Sequence, residues 1–384
     1  MTYWNLVAIG YNVVLLGIFI IIAVLMFYIG FKGRKENVYG SFSTMLSSIF
    51  LIISVILLVM VRQDHFVVHY PFNGFMVWWF FIVFSIFAAF GLLVKHIVSN
   101  IKPGNMNTPQ KDISRLKKFI IEIRKESPYR EQIPIKMEIF RKSFHLIGLL
   151  FIFGYFGFIF LPPITELANI GIYIFIDTTK ALYNFLWGSL SNYPYLDGGL
   201  EAINYISLFA LLGAFIFMII SDLIRVLWGP EYSIFHFITK STLRNGERNA
   251  VGPQIYLIVG AIFTYVLFLV GFVDILAFTA GLIIACLSDA LAALVGRIWG
   301  QRKVICPGGH EKTIEGFIAG TLSAYLLGLL FLGPIYALVA AIIFLITDYF
   351  PMMIADNFLN PILIPIGIMV VQLIIQLPIG WGFF

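Results

Sequence analysis

Residues 5–31 read NLVAIGYNVVLLGIFIIIAVLMFYIGF, without one charged side chain. A bilayer core needs roughly 20 apolar residues in helical form to cross it, and this stretch exceeds that. Residues 42–61 and 74–94 repeat the pattern, and further apolar runs fall near 143–161, 201–227, 252–272, 276–297, 315–333, 335–350 and 359–378. The whole chain agrees. Its 384 residues are 60% hydrophobic and 12% charged, with a mean hydropathy of +0.95, whereas soluble domains are about half apolar and a quarter charged. The first run is too long, and the later ones too numerous, for a signal peptide.

The positions of Lys and Arg orient these runs, because basic loops stay on the cytoplasmic side. Lys32, Arg34 and Lys35 follow the first run, and residues 95–142 hold 12 of the 25 Lys and Arg against 5 acids. That stretch is read as a cytoplasmic loop beside anionic headgroups rather than as a nucleic-acid site, and its residues 109–131 as an amphipathic surface helix. Residues 164–200 carry Glu166, Asp177, Lys180 and Asp197 among apolar neighbours. If they crossed the membrane, the charged loop at 229–251 would fall on the outer face, opposite the basic stretch 95–142. If they do not cross, every later basic loop lies on one face. The expected fold is therefore an all-α polytopic transmembrane helix bundle of about ten spans, with 164–200 as a re-entrant or interfacial segment. Residues 1–100 form an N-terminal three-helix accessory module, 101–137 a basic cytoplasmic linker, and 138–384 a catalytic membrane domain. The two cysteines, Cys286 and Cys306, are too few for a disulfide framework or a zinc site.

Ionisable residues inside apolar segments are expensive and mark candidate sites. Asp289 lies in such a run, and at helical spacing Ala285, Asp289, Ala292, Gly296 and Gly300 form one small-residue stripe with a single acid. The stripe suits a helix-packing seam or the close approach of a metal-bound phosphate. Downstream, Cys306-Pro307-Gly308-Gly309-His310-Glu311-Lys312-Thr313-Ile314-Glu315-Gly316 is a turn whose N–H groups can face an anion, with Lys312 where a helix N-terminus favours phosphate. It is not a Walker A loop. Asp356-Asn357, opening a run, suits an N-cap or oxygen ligands for Mg²⁺. Arg141, Lys142 and His145 stand at the start of the fourth run. Asp222 and Arg225 form an i, i+3 pair, and Leu243-Arg244-x-x-Glu247 precedes Gly252.

In this order, Arg141-Lys142-x-x-His145, Asp222-x-x-Arg225, Leu243-Arg244-x-x-Glu247, Asp289-Ala290-x-Ala292 with Gly296 and Gly300, Lys312-Thr313-x-Glu315-Gly316 and Asp356-Asn357-x-x-x-Pro361 resemble the CTP-dependent polyprenol kinase family of dolichol, phytol and CTP-using diacylglycerol kinases. The resemblance spans roughly residues 138–376. It implies a kinase that moves the γ-phosphate of CTP to the hydroxyl of a long-chain lipid alcohol, with Mg²⁺ as cofactor. It further implies that Asp289, Asp356, Asn357 and Glu315 hold the metal. Arg141, Lys142, Arg244, Gly296, Arg297, Gly300, Lys312, Thr313, Glu315 and Gly316 would bind the nucleotide. Asp289, Lys312, Asp356, His145 and Glu247 would be catalytic, with the proton acceptor open among Asp356, Glu247 and His145. Asp222 departs from the pattern, where family members often carry Glu. Phosphatidate cytidylyltransferases share the stretch from Asp289 to Gly316. They carry a Pro-Gly-His-Gly-Gly segment and a late Asp-Arg-x-Asp motif, where this chain has Pro307-Gly308-Gly309-His310 and Asp356-Asn357. A transporter would also bury acids, but would show paired halves, and no internal repeat is visible.

Overall fold

The computed structural model describes residues 3–61, 65–100, 115–125, 129–130, 134–143, 147–188, 199–239, 243–244, 249–306, 311–350 and 354–381. Hydrocarbon offers no water to the backbone, so each spanning segment must pair its own N–H and C=O groups, and all ten apolar runs are largely helical among the described residues. In chain order the elements are α1 (Tyr3–Gly33), α2 (Val38–Val61), α3 (Phe72–Ser99), α4 (Arg115–Lys125), β1 (Tyr129–Arg130), α5 (Ile135–Ser143), α6 (Ile147–Phe160), α7 (Pro162–Trp187), α8 (Leu200–Leu227), α9 (Ile234–Thr239), β2 (Leu243–Arg244) and α10 (Pro253–Leu269). There follow α11 (Ile275–Ile283), which runs through a π-turn at Ile284–Ser288 into α12 (Asp289–Ile298), then β3 (Lys303–Ile305), β4 (Glu311–Thr313), α13 (Ile314–Leu332), α14 (Pro334–Tyr349) and α15 (Asp356–Ile375). Among the described residues, seven spans are long and apolar enough to cross a membrane, with α11–α12 taken as one; α10 and α14 are shorter, and α6 and α7 form a pair bent by 101°. The chain is thus an all-α polytopic membrane bundle, to which two short two-stranded ladders are added.

The bend bears on the stretch read as re-entrant, of which residues 189–198 lie outside the described residues. The start of α6 lies near the π-turn, since a Cβ on Gly148 would meet Cys286 Sγ at 2.7 Å. The start of α2 lies at the same end, because Ser43 Oγ accepts from the N–H of Ala355 just before α15. α6 ends at the opposite pole, and there Trp187, the last residue of α7, packs on Phe75 near the start of α3, with ring centroids 4.9 Å apart. α7 therefore begins and ends at one pole and returns the chain without traversing the bundle, as the parity of the charged loops requires.

One apolar core runs from Leu15 and Phe19 in α1 to Ile368 in α15. The first three helices belong to it: Phe19 stacks on Phe215 of α8 at 6.4 Å, and Phe50 of α2 meets Phe263 of α10 edge-on at 4.6 Å. Close helix approach is set by glycine. A Cβ on Gly260 of α10 would stand 2.9 Å from the carbonyl oxygen of Phe358, and one on Gly281 of α11 would stand 2.5 Å from Pro365 Cγ. α15 carries Pro361 and Pro365 in its interior. A proline has no N–H for the carbonyl four residues back, so Pro365 leaves the Pro361 carbonyl without its helical donor, and Thr264 Oγ1 supplies a replacement at 2.8 Å.

These contacts give a stability prediction. Gly281→Val should destabilise the detergent-solubilised protein by about 1–3 kcal/mol through overpacking. Gly17→Val, where nothing lies within 4 Å of the added Cβ, should leave the melting temperature near wild type. Equal melting temperatures for the two variants would contradict the seam.

Candidate active site

The site is built where α2, α6, α10, α13 and α15 begin and α8 and α14 end. Its first element is the π-turn. A π-turn holds an extra residue in the helix, so the uniform 3.6-residue count that places Ala285 on the face of Asp289 does not carry across it. Asp289 opens α12, buried, and pairs with Lys142 Nζ from the end of α5. The cation predicted for a nucleotide and the acid predicted for a metal are thus joined to each other.

The rest of the stripe packs against protein. A Cβ on Gly296 would reach Thr313 Oγ1 at 2.7 Å, one on Gly300 would meet Thr313 Cγ2 at 2.5 Å, and one on Gly316 would stand 2.8 Å from the Ala292 carbonyl oxygen. Gly296, Gly300, Thr313 and Gly316 therefore form the seam between α12 and the start of α13. Of the two alternatives the stripe allowed, the structure shows the packing seam rather than an open face for a nucleotide.

The loop read as an anion-binding turn is the arm of a β-hairpin. β3 and β4 are antiparallel, with Val304 opposite Lys312, and residues 307–310 at the tip lie outside the described residues. Thr313 caps α13 by accepting from Gly316 N at 3.2 Å. Lys312 sits one residue before that cap, where its Nζ donates to Asp348 Oδ1 at 2.5 Å and to the Asp348 carbonyl oxygen at 2.6 Å. Burial pulls the Lys312 ammonium down, but the carboxylates of Asp348 and Asp356, the hydrogen bond to Asp348 and the carboxylate of Asp289 together raise its pKa above the ordinary lysine value. One cation thus stands in the field of three carboxylates from α12, α14 and α15. Asp348 was not singled out in the sequence. It is an acid in the last turn of an apolar helix, and the rule that flagged Asp289 applies to it equally.

Asp356 and Asn357 open α15. Asn357 N donates to Asp356 Oδ1 at 2.7 Å, while Asn357 Oδ1 is buried without a hydrogen-bond partner. Pro361, four residues on, also cannot donate to the Asn357 carbonyl. The Asp-Asn-x-x-x-Pro spacing therefore presents a carboxylate beside an amide oxygen and a carbonyl that lack their usual donors. Among the described residues, no group of three His, Cys, Asp or Glu is placed to hold a metal by itself. Mg²⁺ is commonly held by one or two carboxylates with substrate phosphates and water completing the shell, and the oxygen set at Asp356 and Asn357 fits that mode. Glu315 does not join it: its carboxylate accepts from Arg302 N at 3.3 and 3.4 Å and braces the hairpin.

The Asp222–Arg225 pair anchors a neighbouring loop. Arg225 Nε donates to Asp222 Oδ1 at 2.6 Å and Nη2 to the Ala250 carbonyl at 2.6 Å, while Gly252 N donates to Asp222 Oδ2 at 2.6 Å. The pair fixes how α10 starts. His236 of α9 is buried close by. Burial first, then Arg225, push its pKa from 6.5 down to about 3, against a smaller opposing effect of Asp222. Arg297 is exposed on the last turn of α12. Arg141 lies in α5, and Arg244 lies in β2, which pairs in parallel with Tyr129–Arg130 and so ties the basic linker to this end. His145 and Glu247 lie outside the described residues. Cys286 and Cys306 are buried and free.

A helical bundle of this hydropathy with buried charges gathered at one pole is an integral membrane protein built for polar chemistry at the bilayer surface. The sequence signature of the cytidylyltransferase family matches residues 138–376. The chain belongs to that family, which includes CTP-dependent polyprenol and diacylglycerol kinases, and it is a CTP-utilising membrane enzyme. Comparison with curated proteins and with solved structures found no match.

Two predictions follow from the anchored loop. Asp222→Ala removes the partner of a buried guanidinium and should destabilise the protein by about 3–5 kcal/mol, read from thermal unfolding. His236 binds its proton less readily when folded, so the unfolded chain takes up more protons between about pH 6.5 and 3 and stability falls with pH across that window. His236→Gln should flatten the melting-temperature profile between pH 7 and pH 5, and an unchanged slope would assign the acid sensitivity elsewhere.

Proposed function

We propose that the protein is a kinase that transfers the γ-phosphoryl group of CTP to the hydroxyl of a long-chain lipid alcohol, of the polyprenol or dolichol kind, at the cytoplasmic membrane face. The observation that carries the reading is the ion pair of Lys312 with Asp348 at 2.5 Å, within electrostatic reach of Asp356 and Asp289. Phosphoryl transfer needs chiefly positioning and charge neutralisation, and a lysine beside acids serves a metal-bound triphosphate. Against the cytidylyltransferase alternative stands the late motif, Asp356-Asn357-x-x-x-Pro361, where an Asp-Arg-x-Asp motif would be expected. The cytoplasmic assignment rests on the basic stretch 95–142 and the later basic loops at this pole.

Lys312 neutralises and orients the phosphates, with Arg244 and Arg297 as further cations on the nucleotide. Asp356 and Asn357, with Asp289, would hold Mg²⁺, which when bound would screen the charge of the triphosphate. Lys142, the partner of Asp289, would then face the nucleotide. Asp356, Glu247 or His145 takes the hydroxyl proton. In this reading residues 138–384 are the catalytic domain and 101–137 a linker. Residues 1–100 act as an accessory module that props the site, since Ser43 of α2 holds Ala355 N at 2.8 Å and Val251 N donates to Thr44 Oγ1 at 3.3 Å.

Purified protein incubated with γ-labelled CTP, Mg²⁺ and lipid alcohols should place label in the lipid. Label recovered as pyrophosphate with a phosphatidate acceptor would instead establish cytidylyl transfer. Asp356→Asn and Lys312→Met should each lower kcat on the order of 10²–10³-fold, the scale of losing one electrostatic stabiliser. Wild-type rates in both variants would remove these residues from the reaction.

A further inference from the structure

The bundle contains an apolar cavity of about 280 Å³ between α6, α8, α10 and α11. Its wall includes Phe151, Leu211, Ala214, Met218 and Leu257, and the single polar side chain on it is Gln254. Two features fix its orientation. Gln254 is the second residue of α10, two residues after the Gly252 that Asp222 holds, and Gly148, also on the wall, stands against Cys286 three residues before Asp289. The polar end of the cavity thus adjoins the carboxylate site. From there, α8 and α10 carry the wall toward the opposite pole as far as Ala210 and Ala261, a span of about 10 Å at 1.5 Å per residue. Leu150 and Ala210, both exposed, open it sideways to the surrounding hydrocarbon.

We infer that this cavity is the tail slot of the acceptor: it takes the first apolar units of the lipid alcohol next to the hydroxyl, and the remaining tail leaves laterally past Leu150 and Ala210. The inference rests on the lipid-alcohol reading above. The occupant follows from chemistry and continuity. An apolar wall with one amide at the end adjoining Asp289 matches a molecule with one polar terminus and a long hydrocarbon body. A pocket for the cytosine or the triphosphate would need donors and charges along its length. Ala210, Ala214 and Ala261 supply the width, since each is a small side chain at a position where a larger one would fill the slot. They are specificity-determining positions and take no part in the chemistry.

The test uses the full chain in nanodiscs and a long-chain alcohol bearing a photoreactive diazirine within its first apolar units, with no CTP present. Labelling should map to peptides covering 207–218 and 254–261, compete with unlabelled long-chain alcohol, and resist competition by phosphatidylcholine. Ala214→Phe and, at the exposed rim, Ala210→Phe should each cut labelling about tenfold, the scale on which added bulk in an apolar pocket is felt. Turnover with γ-labelled CTP should show the same variants raising KM for the long-chain acceptor with kcat retained. Leu330→Phe, on the lipid-facing side of α13, should alter neither. Competition by phosphatidylcholine equal to that by the alcohol would make the cavity a general lipid slot and overturn the inference, as would unchanged labelling in both alanine variants. Because labelling is read without turnover, specific labelling in a protein that transfers no phosphate would sink the kinase reading and leave the slot standing.

Discussion

A charge taken out of water has to be paired, and the architecture at one pole of this bundle is organised by that requirement. Three buried carboxylates each have a cation: Asp289 has Lys142, Asp222 has Arg225, and Asp348 has Lys312. Each pair also joins parts that the chain separates. The first ties the end of α5 to the π-turn, the second seats the loop before α10 on the end of α8, and the third holds the β-hairpin to the end of α14. Helices that pack through interchangeable apolar contacts acquire a defined arrangement because these charged residues must meet. The same pairs gather acids and cations where a nucleotide arrives from water.

Much of this was legible in the sequence because the bilayer simplifies the code. A run of apolar residues long enough to cross hydrocarbon has one solution, so the ten apolar runs emerged as helices to within about five residues. The non-traversing course of α7 was legible too, through charge parity across loops rather than any property of residues 164–200. What stayed hidden depends on three-dimensional neighbours. Periodicity shows that Gly296 and Gly300 share a face, but not that α13 fills it. A lysine and an acid separated by 147 positions, as in Lys142 and Asp289, carry no local sign of their union. The π-turn leaves no composition signal and shifts every count made through it. Asp348 was readable by the rule that found Asp289, yet it sits one residue from a helix end, where an acid also reads as an ordinary boundary.

The Asp356-Asn357-x-x-x-Pro361 spacing shows how a motif becomes geometry. The proline follows the asparagine by one helical hydrogen-bond interval, so it subtracts a donor from the carbonyl beside the acid. Oxygen atoms with lone pairs to spare are produced by what a residue four positions away lacks. The second proline repeats the subtraction one turn later, inside the apolar core, and there Thr264 fills the vacancy. The difference between a served and an unserved carbonyl separates structure from candidate chemistry along a single helix.

Thr264, Gly260 and Gly281 also act as a depth gauge. The hydroxyl on the Pro361 carbonyl and the two glycine notches against Phe358 and Pro365 give α15 one axial position relative to α10 and α11. The height of Asp356 above the hydrocarbon is therefore metered from below, by residues without charge. Vertical calibration of a surface acid is set by the interior, much as a piston's stroke is set by its rod.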